Sequence, residues 1–118
     1  QRHCKRGGLA AVYENGYITI MKGTWKVRVI EAKDIPITYG GKAVHNIANV
    51  LPATMATWLF RDISIEDIRA ALQTFVPSSA QTPGRLNFFH YKHCTFLADF
   101  AHNPHGMNLL CNFVQQLD

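Results

Sequence analysis

The sequence has few cysteines, no long apolar run and only a modest share of charged residues, and each shortage excludes a class of protein. Cys4, Cys94 and Cys111 are odd in number and widely spaced, with no C-x-x-C pair, which argues against a disulfide framework and a zinc ribbon. No stretch approaches the ~18 to 20 consecutive apolar residues that span a bilayer. The sequence therefore predicts a protein of a reducing cytoplasm with no membrane partner.

The composition is that of a folded globular chain with a sizeable core. The 118 residues are 47% hydrophobic and 17% charged, which excludes intrinsic disorder and collagen-like repeats. Lys and Arg number 12 and Asp and Glu number 8, for a formal net charge of +4. This mild excess fits a phosphate-bearing partner but is smaller than the charge typical of nucleic-acid-binding domains.

The first third of the chain predicts a small antiparallel β-meander, with strands over residues 9–13, 17–21 and 25–30. Asn15-Gly16 is a strong hairpin signal, because both residues tolerate the positive φ of a type I′ turn. The third strand alternates between two sets, apolar Trp25, Val27 and Val29 against largely cationic Lys26, Arg28 and Ile30. This alternation predicts a half-buried strand with its second set on the outer face.

Two helices are predicted next, packed as a hairpin. The first, from about residue 43 to 60, has an apolar stripe of helical period: Val44, Ile47, Ala48, Leu51, Met55, Trp58 and Leu59. Pro52 lies inside this stripe and predicts a kink or a division into two pieces, since it lacks a backbone donor. The second helix has Ser64 as N-cap and Asp67 three residues on. Its predicted inward face is Ile65, Ile68, Leu72 and Phe75.

Turn-forming residues over 77–84 predict a linker and a domain boundary, which gives domains of residues 1–80 and 81–118. Beyond the linker, strands over 86–91 and 95–100 join at a tight turn. A last helix follows, with Asn103 as N-cap and Pro104 at its first position. Its apolar face is Leu110, Phe113, Val114 and Leu117. The predicted fold class is α/β, in the form of a mixed α+β chain: a meander and a helix hairpin, then a β-β-α segment.

Two asparagines near the start of the first long helix could recognise a heterocycle. Asn46 and Asn49 lie at i and i+3, directly after the pair Gly40-Gly41. Each carboxamide offers two donors and an acceptor, which suits the edge of a base. The structural alternative is that His45 and Asn46 cap or solvate the start of the helix.

A second candidate site lies around the linker and the last strand. Asp99 ends a predicted strand, where a carboxylate is well placed to accept hydrogen bonds from ribose hydroxyls. Its alternative role is to cap the turn that follows. Arg85 lies on the hinge, where its guanidinium could stack on a base or bind a ribose or phosphate, or remain only solvated.

A metal site is disfavoured by the arrangement of the nearest ligands. His90, His93 and Cys94 lie close in sequence, but the two histidines differ in strand parity and flank a turn. We therefore assign no metal ligand.

Three runs, 40–49 (GGKAVHNIAN), 82–87 (TPGRLN) and 99–104 (DFAHNP), resemble the Mur ligase superfamily in order and spacing. Asn87 and the run at Asp99 favour the Mur-ligase-like region of the cyanophycin synthetases over the peptidoglycan and folate ligases. The resemblance covers nearly the whole chain. It implies that the first domain is the end of a central ATPase domain and that the second begins a Rossmann-like C-terminal domain.

The resemblance also implies an ATP-dependent amide ligase. A carboxylate is phosphorylated to an acyl phosphate, an amine attacks, and phosphate leaves; in cyanophycin synthetases this module adds arginine to a poly-aspartate backbone. Asn46 and Asn49 match helix positions near the adenine, and Arg85 and Asp99 match the ribose contacts. The family motifs also include His45 and His102, to which the resemblance gives supporting roles. The implied partners are ATP with Mg²⁺, an amino acid and a poly-aspartate-type substrate; no nucleic acid is expected, and self-association as a homo-oligomer is possible.

The chain departs from the family at several points. Pro52 replaces a small helix former and Phe100 the commoner tyrosine, which removes a hydroxyl contact. No G-x-x-x-x-G-K-[ST] motif occurs, so the phosphate loop and its magnesium-binding hydroxyl are missing, and Mg²⁺ ligands are expected mainly outside this chain. The chain is therefore predicted to be a fragment that is inactive alone.

Two other functions compete with the ligase fragment. The first is a noncatalytic nucleotide-binding or interaction module without a phosphate loop. The second is a small basic RNA-binding domain that uses Phe88, Phe89 and Tyr91. It is disfavoured because adjacent phenylalanines of a strand point to opposite faces.

Overall fold

The computed structural model describes residues 2–60 and 62–117. The helices of this part are α1 (Arg2–Lys5), α2 (Val44–Trp58), α3 (Ile65–Thr74) and α4 (Pro104–Val114). The strands are β1 (Leu9–Glu14), β2 (Tyr17–Lys22), β3 (Trp25–Glu31), β4 (Asn87–Tyr91) and β5 (Cys94–Ala98). Two 3-10 turns, Ala32–Asp34 and Pro36–Thr38, connect β3 to α2.

The chain divides into two compact units, Gln1–Phe75 and Val76–Asp118. The first contains an antiparallel sheet of order β1-β2-β3 together with α1, α2 and α3; the second contains the antiparallel pair β4-β5 and α4. The predicted mixed α+β class is confirmed, with a meander and a helix pair followed by a β-β-α segment.

The hairpin turns form where the sequence places them. Asn15 and Gly16 have φ of 52° and 83°, the left-handed conformations that join β1 to β2 in a two-residue turn. Lys92 adopts φ of 52° in the turn between β4 and β5. These turns depend on local backbone preference, so the sequence alone predicts them well.

The core of the first unit lies between one face of the sheet and two helices. Its buried members are Ile18, Ile20, Val29, Ile30, Ala32, Ile35, Ile47, Val50 and Ile68. Ile18 and Ile20 therefore face α2 and α3. Because side chains alternate along a strand, Thr19 and its pairing partner Arg28 point to the opposite face of the sheet.

A β-bulge in β3 changes the predicted alternation of that strand. Ile30 pairs with Ile18 and Arg28 pairs with Thr19, so Val29 is an extra residue without a partner in β2. Val29 and Ile30 are consequently both buried, at 2% and 6% exposure. The prediction that Ile30 lies on the outer cationic face is wrong.

An arginine of α3 binds the backbone of this bulge. The Nε of Arg69 donates to the carbonyl oxygen of Val29 at 2.6 Å, and a terminal guanidinium nitrogen donates to that of Arg28 at 3.0 Å. The other terminal nitrogen lies 3.1 Å from a carboxylate oxygen of Glu66. Because β3 is an outer strand, Arg69 supplies partners for carbonyls that have no further strand beside them.

Helix α2 buries only part of the predicted stripe: Ile47 is in the core, and Leu51 and Trp58 pack against it. Its buried residues are Ile47, Val50 and Thr54, whereas Val44 and Leu59 are 59% and 65% exposed. The predicted stripe included the last two and is wrong for them, since packing on the sheet rotates the buried face toward Val50. Pro52 is exposed within a single continuous helix, so of the two predicted effects, a kink or a division, the division into two pieces is wrong.

Helix α3 begins at the predicted capping box. The Ser64 hydroxyl accepts from the Asp67 backbone N–H at 3.1 Å, and an Asp67 carboxylate oxygen accepts from the Ser64 backbone N–H at 2.9 Å. The Ser64 hydroxyl also donates to the same carboxylate oxygen at 2.6 Å, and this bond, together with the one from the Ser64 backbone N–H, lowers the pKa of the Asp67 carboxyl. Ile68 is buried, but Phe75 lies past the end of the helix at 43% exposure, so its predicted inward position is wrong.

In the second unit, Asn103 caps α4 as predicted. Its side-chain oxygen accepts from the Gly106 backbone N–H at 2.8 Å, and Pro104 is the first helical residue. Phe113 is buried and meets Phe88 of β4 edge to face, with 6.4 Å between ring centroids. Val114 is 46% exposed, so its predicted place in the apolar face is wrong. No helix among residues 2–60 and 62–117 is long and apolar enough to cross a membrane.

Candidate functional site

Asn46 holds the start of α2 against the preceding 3-10 turn. Its side-chain nitrogen donates to the backbone oxygen of Ile37 at 2.8 Å, and its side-chain oxygen accepts from the Asn49 side chain at 3.5 Å. Asn46 is half-buried. The structure therefore gives Asn46 a positioning role at the start of the helix, in line with the structural alternative drawn from the sequence.

Asn49 is the more available of the two carboxamides. It is exposed one turn further along α2, and one N–H points to Asn46. Its side-chain oxygen accepts from no residue of the described part of the chain, which leaves an acceptor and a second N–H for a ligand. His45 lies beside this pair and is half-buried.

The loop that carries Arg85 is built around a buried asparagine. Asn87 is 5% exposed, accepts from the Gly84 backbone N–H at 2.7 Å, and donates to the backbone oxygens of Thr82 and Arg85 at 3.0 and 3.2 Å. Gly84 and Leu86 both have positive φ, 69° and 48°. The side chain of Asn87 thus fixes a loop in which two residues have the left-handed backbone conformation.

Asp99, the residue after the end of β5, closes this loop. One carboxylate oxygen accepts from the Leu86 backbone N–H at 2.9 Å, and the Phe100 backbone N–H donates to the Gly84 oxygen at 2.8 Å. Because Leu86 has a left-handed conformation, β4 begins at Asn87, one residue later than predicted. The other Asp99 oxygen has no partner among residues 76–117, so the half-buried carboxylate braces the loop and retains an acceptor.

An aromatic ring supports the guanidinium of Arg85. The Cζ of Arg85 lies 5.6 Å from the ring centroid of Phe100, within the range of a cation–π contact. The rings of Phe100 and His102 are 5.1 Å apart, and the His102 Nδ1 lies 3.2 Å from the Phe100 backbone oxygen. Phe100 is 61% exposed, so a hydrophobic platform lies open beside Arg85.

The predicted residues are thus arranged in two pairs, each inside its own unit. Asn46 and Asn49 are hydrogen-bonded in the first unit, and Arg85 and Asp99 are joined through Leu86 in the second. The residue types of Asn87 and Phe100 were noted in the sequence, but their roles in shaping the loop were not. The short spacing of Asn87 from Gly84 is the signal for the first role, because such side chains commonly bond nearby backbone groups.

The histidines near the β4-β5 turn make a different contact from a metal site. The Nδ1 of His90 lies 3.0 Å from the Thr95 hydroxyl across the strand pair. Within the described ranges no group of three His, Cys, Asp or Glu side chains is placed to hold a metal ion.

Comparison with known proteins gives several close relatives. The chain is 47% identical over 115 residues to a protein named cyanophycin synthetase from Trichormus variabilis and 45% identical to one of the same name from Synechocystis sp.. Each match covers 98% of this chain but only 13% of the relative. No protein family model matches the chain. Over nearly its whole length the chain is therefore similar to one segment of these longer proteins, and it spans about 13% of their length.

Proposed function

We propose that this chain supplies the adenine and ribose contacts of an ATP-dependent amide ligase. The observation that carries the proposal is the hydrogen bond from Leu86 N–H to Asp99, which joins a carboxylate with a free oxygen to the loop that presents Arg85. The names of the relatives support a ligase origin. The proposal assigns residues 1–80 to the end of a central ATPase domain and 81–118 to the start of a C-terminal domain.

In this proposal Asn49 recognises the adenine edge. Its free side-chain oxygen accepts from the exocyclic amino group, and its remaining N–H donates to a ring nitrogen. Asn46 fixes the rotamer of Asn49 and the start of α2 through its bonds to Asn49 and Ile37. His45 has a supporting role beside them.

Arg85 and Asp99 bind the ribose. The free oxygen of Asp99 accepts from a ribose hydroxyl, while the guanidinium of Arg85 donates to a ribose oxygen or a phosphate. Phe100 and His102 support this guanidinium through the ring contacts described above. These groups fit a nucleoside, because they combine an acceptor, a fork of donors and an open aromatic face.

The chemistry of the whole ligase depends on groups beyond these residues. In the proposed reaction ATP phosphorylates a side-chain carboxylate of a poly-aspartate chain, the α-amine of arginine attacks the acyl phosphate, and phosphate leaves. Mg²⁺ neutralises phosphate charge in such transfers, yet the described residues contain no three-ligand metal cluster. In this proposal the residues of the chain bind and orient the nucleotide.

A second function, a noncatalytic nucleotide-binding module, is favoured by the missing phosphate-loop motif. This function would use the same four residues, which are Asn46, Asn49, Arg85 and Asp99. Nucleotide binding alone therefore does not separate the two functions. Expressing the chain within the longer protein separates them, because a ligase converts ATP to ADP only when both the acidic polymer and the amino acid are present.

The first test is a titration with ADP followed by the backbone amide resonances of the chain. We expect shifts at residues next to Asn49 and Asp99, and Asp99→Asn to weaken binding about tenfold, since it removes the charge that strengthens the ribose hydrogen bond. Asp34→Asn, at an exposed carboxylate of the first unit, is the matched control and should bind as the unmodified chain does. The absence of shifts at millimolar ADP would contradict the proposal.

A second test measures phosphate release from ATP by the chain alone. We expect none above a buffer blank, because the phosphate-loop motif is missing from the sequence. Release that Asp99→Ala abolishes would show that the chain itself turns over ATP and would refute the binding-only role.

A further inference from the structure

The net charge of the chain is concentrated at one end of the three-stranded sheet. Arg2, Lys5 and Arg6 lie in and directly after α1, and Lys22 is the last residue of β2. These are 4 of the 12 Lys and Arg residues of the chain, and the other 8 equal the 8 Asp and Glu in number. The four side chains, called here the basic cluster, therefore account for the whole formal net charge of +4.

Helix α1 is fixed to this end of the sheet through hydrogen bonds. The carbonyl oxygen of Cys4 accepts from the Gly23 backbone N–H at 3.1 Å, in the turn between β2 and β3. The Nε2 of His3 lies 3.1 Å from the backbone oxygen of Leu9, at the start of β1. Lys22 directly precedes Gly23 in the chain, so it lies beside α1.

The basic residues of α1 lie on one side of the helical turn. Arg2, Lys5 and Arg6 have the spacing i, i+3 and i+4, which brings side chains together on one face. Cys4 lies on the opposite side and is 4% exposed. All four side chains of the basic cluster are exposed, and none forms an ion pair with a residue of the ranges 2–60 and 62–117.

The carboxylates of the sheet lie at its other end. Glu14 is the last residue of β1 and Glu31 the last of β3, whereas α1 lies where β1 begins. Both carboxylates are already paired, Glu14 with Lys26 and Glu31 with Lys33. The basic cluster therefore keeps a positive potential that attracts an anionic partner.

An exposed indole lies beside the basic cluster. Trp25 is directly opposite Lys22 in the pairing of β2 with β3, so the two side chains are neighbours on one face of the sheet. The ring of Trp25 stacks on that of Trp58, with 6.1 Å between centroids and 26° between planes. Trp25 is nevertheless 48% exposed, which leaves part of its ring open to a planar ligand.

We propose that the basic cluster and Trp25 bind single-stranded nucleic acid. The four cations contact phosphates, and the indole stacks on a base, which is the combination typical of such sites. The low total charge is the reason that the sequence predicts no nucleic-acid partner, but concentration of that charge in one place is the relevant feature. None of these residues is among those proposed to contact adenine or ribose.

The test is fluorescence anisotropy with a labelled oligothymidine of about eight nucleotides. Four phosphate contacts predict that the affinity falls about 50-fold between about 50 and 200 mM salt. Replacing two cations, in the double variant Lys5→Gln and Arg6→Gln, should reduce this fall to about sevenfold. The matched control is Lys33→Gln with Lys92→Gln, which removes the same charge from exposed positions elsewhere and should leave the salt dependence unchanged.

The stacking contact is tested separately. Trp25→Leu keeps an apolar side chain but removes the ring, and it should weaken oligothymidine binding about tenfold. An abasic strand of the same length should bind the unmodified chain about tenfold more weakly than oligothymidine, for the same reason. The abasic strand gives a result even where Trp25→Leu does not fold.

Three outcomes would overturn the proposal. They are equal binding of the abasic strand, binding of a poly-aspartate of the same charge as tightly as oligothymidine, and an unchanged salt dependence in the Lys5→Gln and Arg6→Gln variant.

Discussion

Replacing Asn87 with alanine should destabilise the second unit selectively. The side chain is 5% exposed and makes three hydrogen bonds to the backbone of residues 82–85. A hydrogen bond of this kind contributes about 1 kcal/mol, so the loss amounts to about 3 kcal/mol in the free energy of unfolding. The loop would also lose its fixed shape, and with it the placement of Arg85.

Amide hydrogen exchange measures this effect unit by unit, because it reports local free energies of opening. Asn87→Ala should accelerate exchange in β4, β5 and α4 and leave β1, β2 and β3 unchanged. Asn87→Asp is the matched variant: it keeps the acceptor for Gly84 N–H but loses both donors, and its charge lies beside two carbonyl oxygens. It should therefore be at least as unstable as the alanine variant.

A loss of less than about 1 kcal/mol in Asn87→Ala would refute this reasoning, since it would mean that the three hydrogen bonds contribute little beyond what water supplies. Equal acceleration in both units would also count against it, because the contacts of Asn87 lie wholly in the second. The ADP titration then links structure to function: the proposed role of Arg85 requires that Asn87→Ala weaken ADP binding as well.

Three further predictions concern single contacts. Arg69→Ala should lower the free energy of unfolding of the first unit by about 2 kcal/mol in urea denaturation, because the carbonyl of Val29 loses a charged donor; no change would show that water replaces the guanidinium. The Asp67 carboxyl has a lowered pKa in the folded state, so its stabilising effect is present above its ordinary pKa of 3.8 and is lost as the pH falls through the folded value. The difference in unfolding free energy between the unmodified chain and Asp67→Asn should shrink as the pH falls below about 4, and a constant difference would contradict the assigned bonds to Ser64. Gly84→Ala should cost about 1 kcal/mol, since φ of 69° is unfavourable with a Cβ, and unchanged thermal unfolding would show that the loop adjusts.

The features predicted correctly from the sequence are those that neighbouring residues determine. The turn at Asn15-Gly16 and the caps at Ser64 and Asn103 each depend on one or two side chains and the backbone beside them. Such features need no knowledge of distant packing. The same locality explains why the order of strands and helices was predicted well.

The errors lie where distant contacts determine the outcome. The buried face of α2 includes Val50 and excludes Val44, because the helix is oriented by the sheet it covers and its own period allows both stripes. The bulge at Val29 cannot be predicted from a pattern of alternation. It becomes visible only with the pairing of β3 to β2 and the donors of Arg69.

For the candidate site, the sequence identified the residues but did not show which of them hold the local structure and which are available to a ligand. Asn46 and Asn49 are the same residue type in the sequence, yet Asn46 is bonded to Ile37 and to Asn49, whereas the side-chain oxygen of Asn49 accepts from no described residue. For Asp99 the sequence offered a ligand contact or a turn cap as alternatives. Its geometry leaves the ligand contact open, since one oxygen has no partner in residues 76–117; the other oxygen holds Leu86 in the loop before β4 and does not cap the turn that follows.

The bulge in β3 also affects how this strand can change during evolution. Removing Val29 would leave Arg28 opposite Thr19 and Ile30 opposite Ile18, so every remaining side chain of the strand would keep its face. A deletion of Val27 would instead place a cationic residue opposite Ile20, on the core face. A one-residue difference in length at this position would therefore leave the facing of the strand unchanged, although it would also remove a buried side chain and the carbonyl that Arg69 binds.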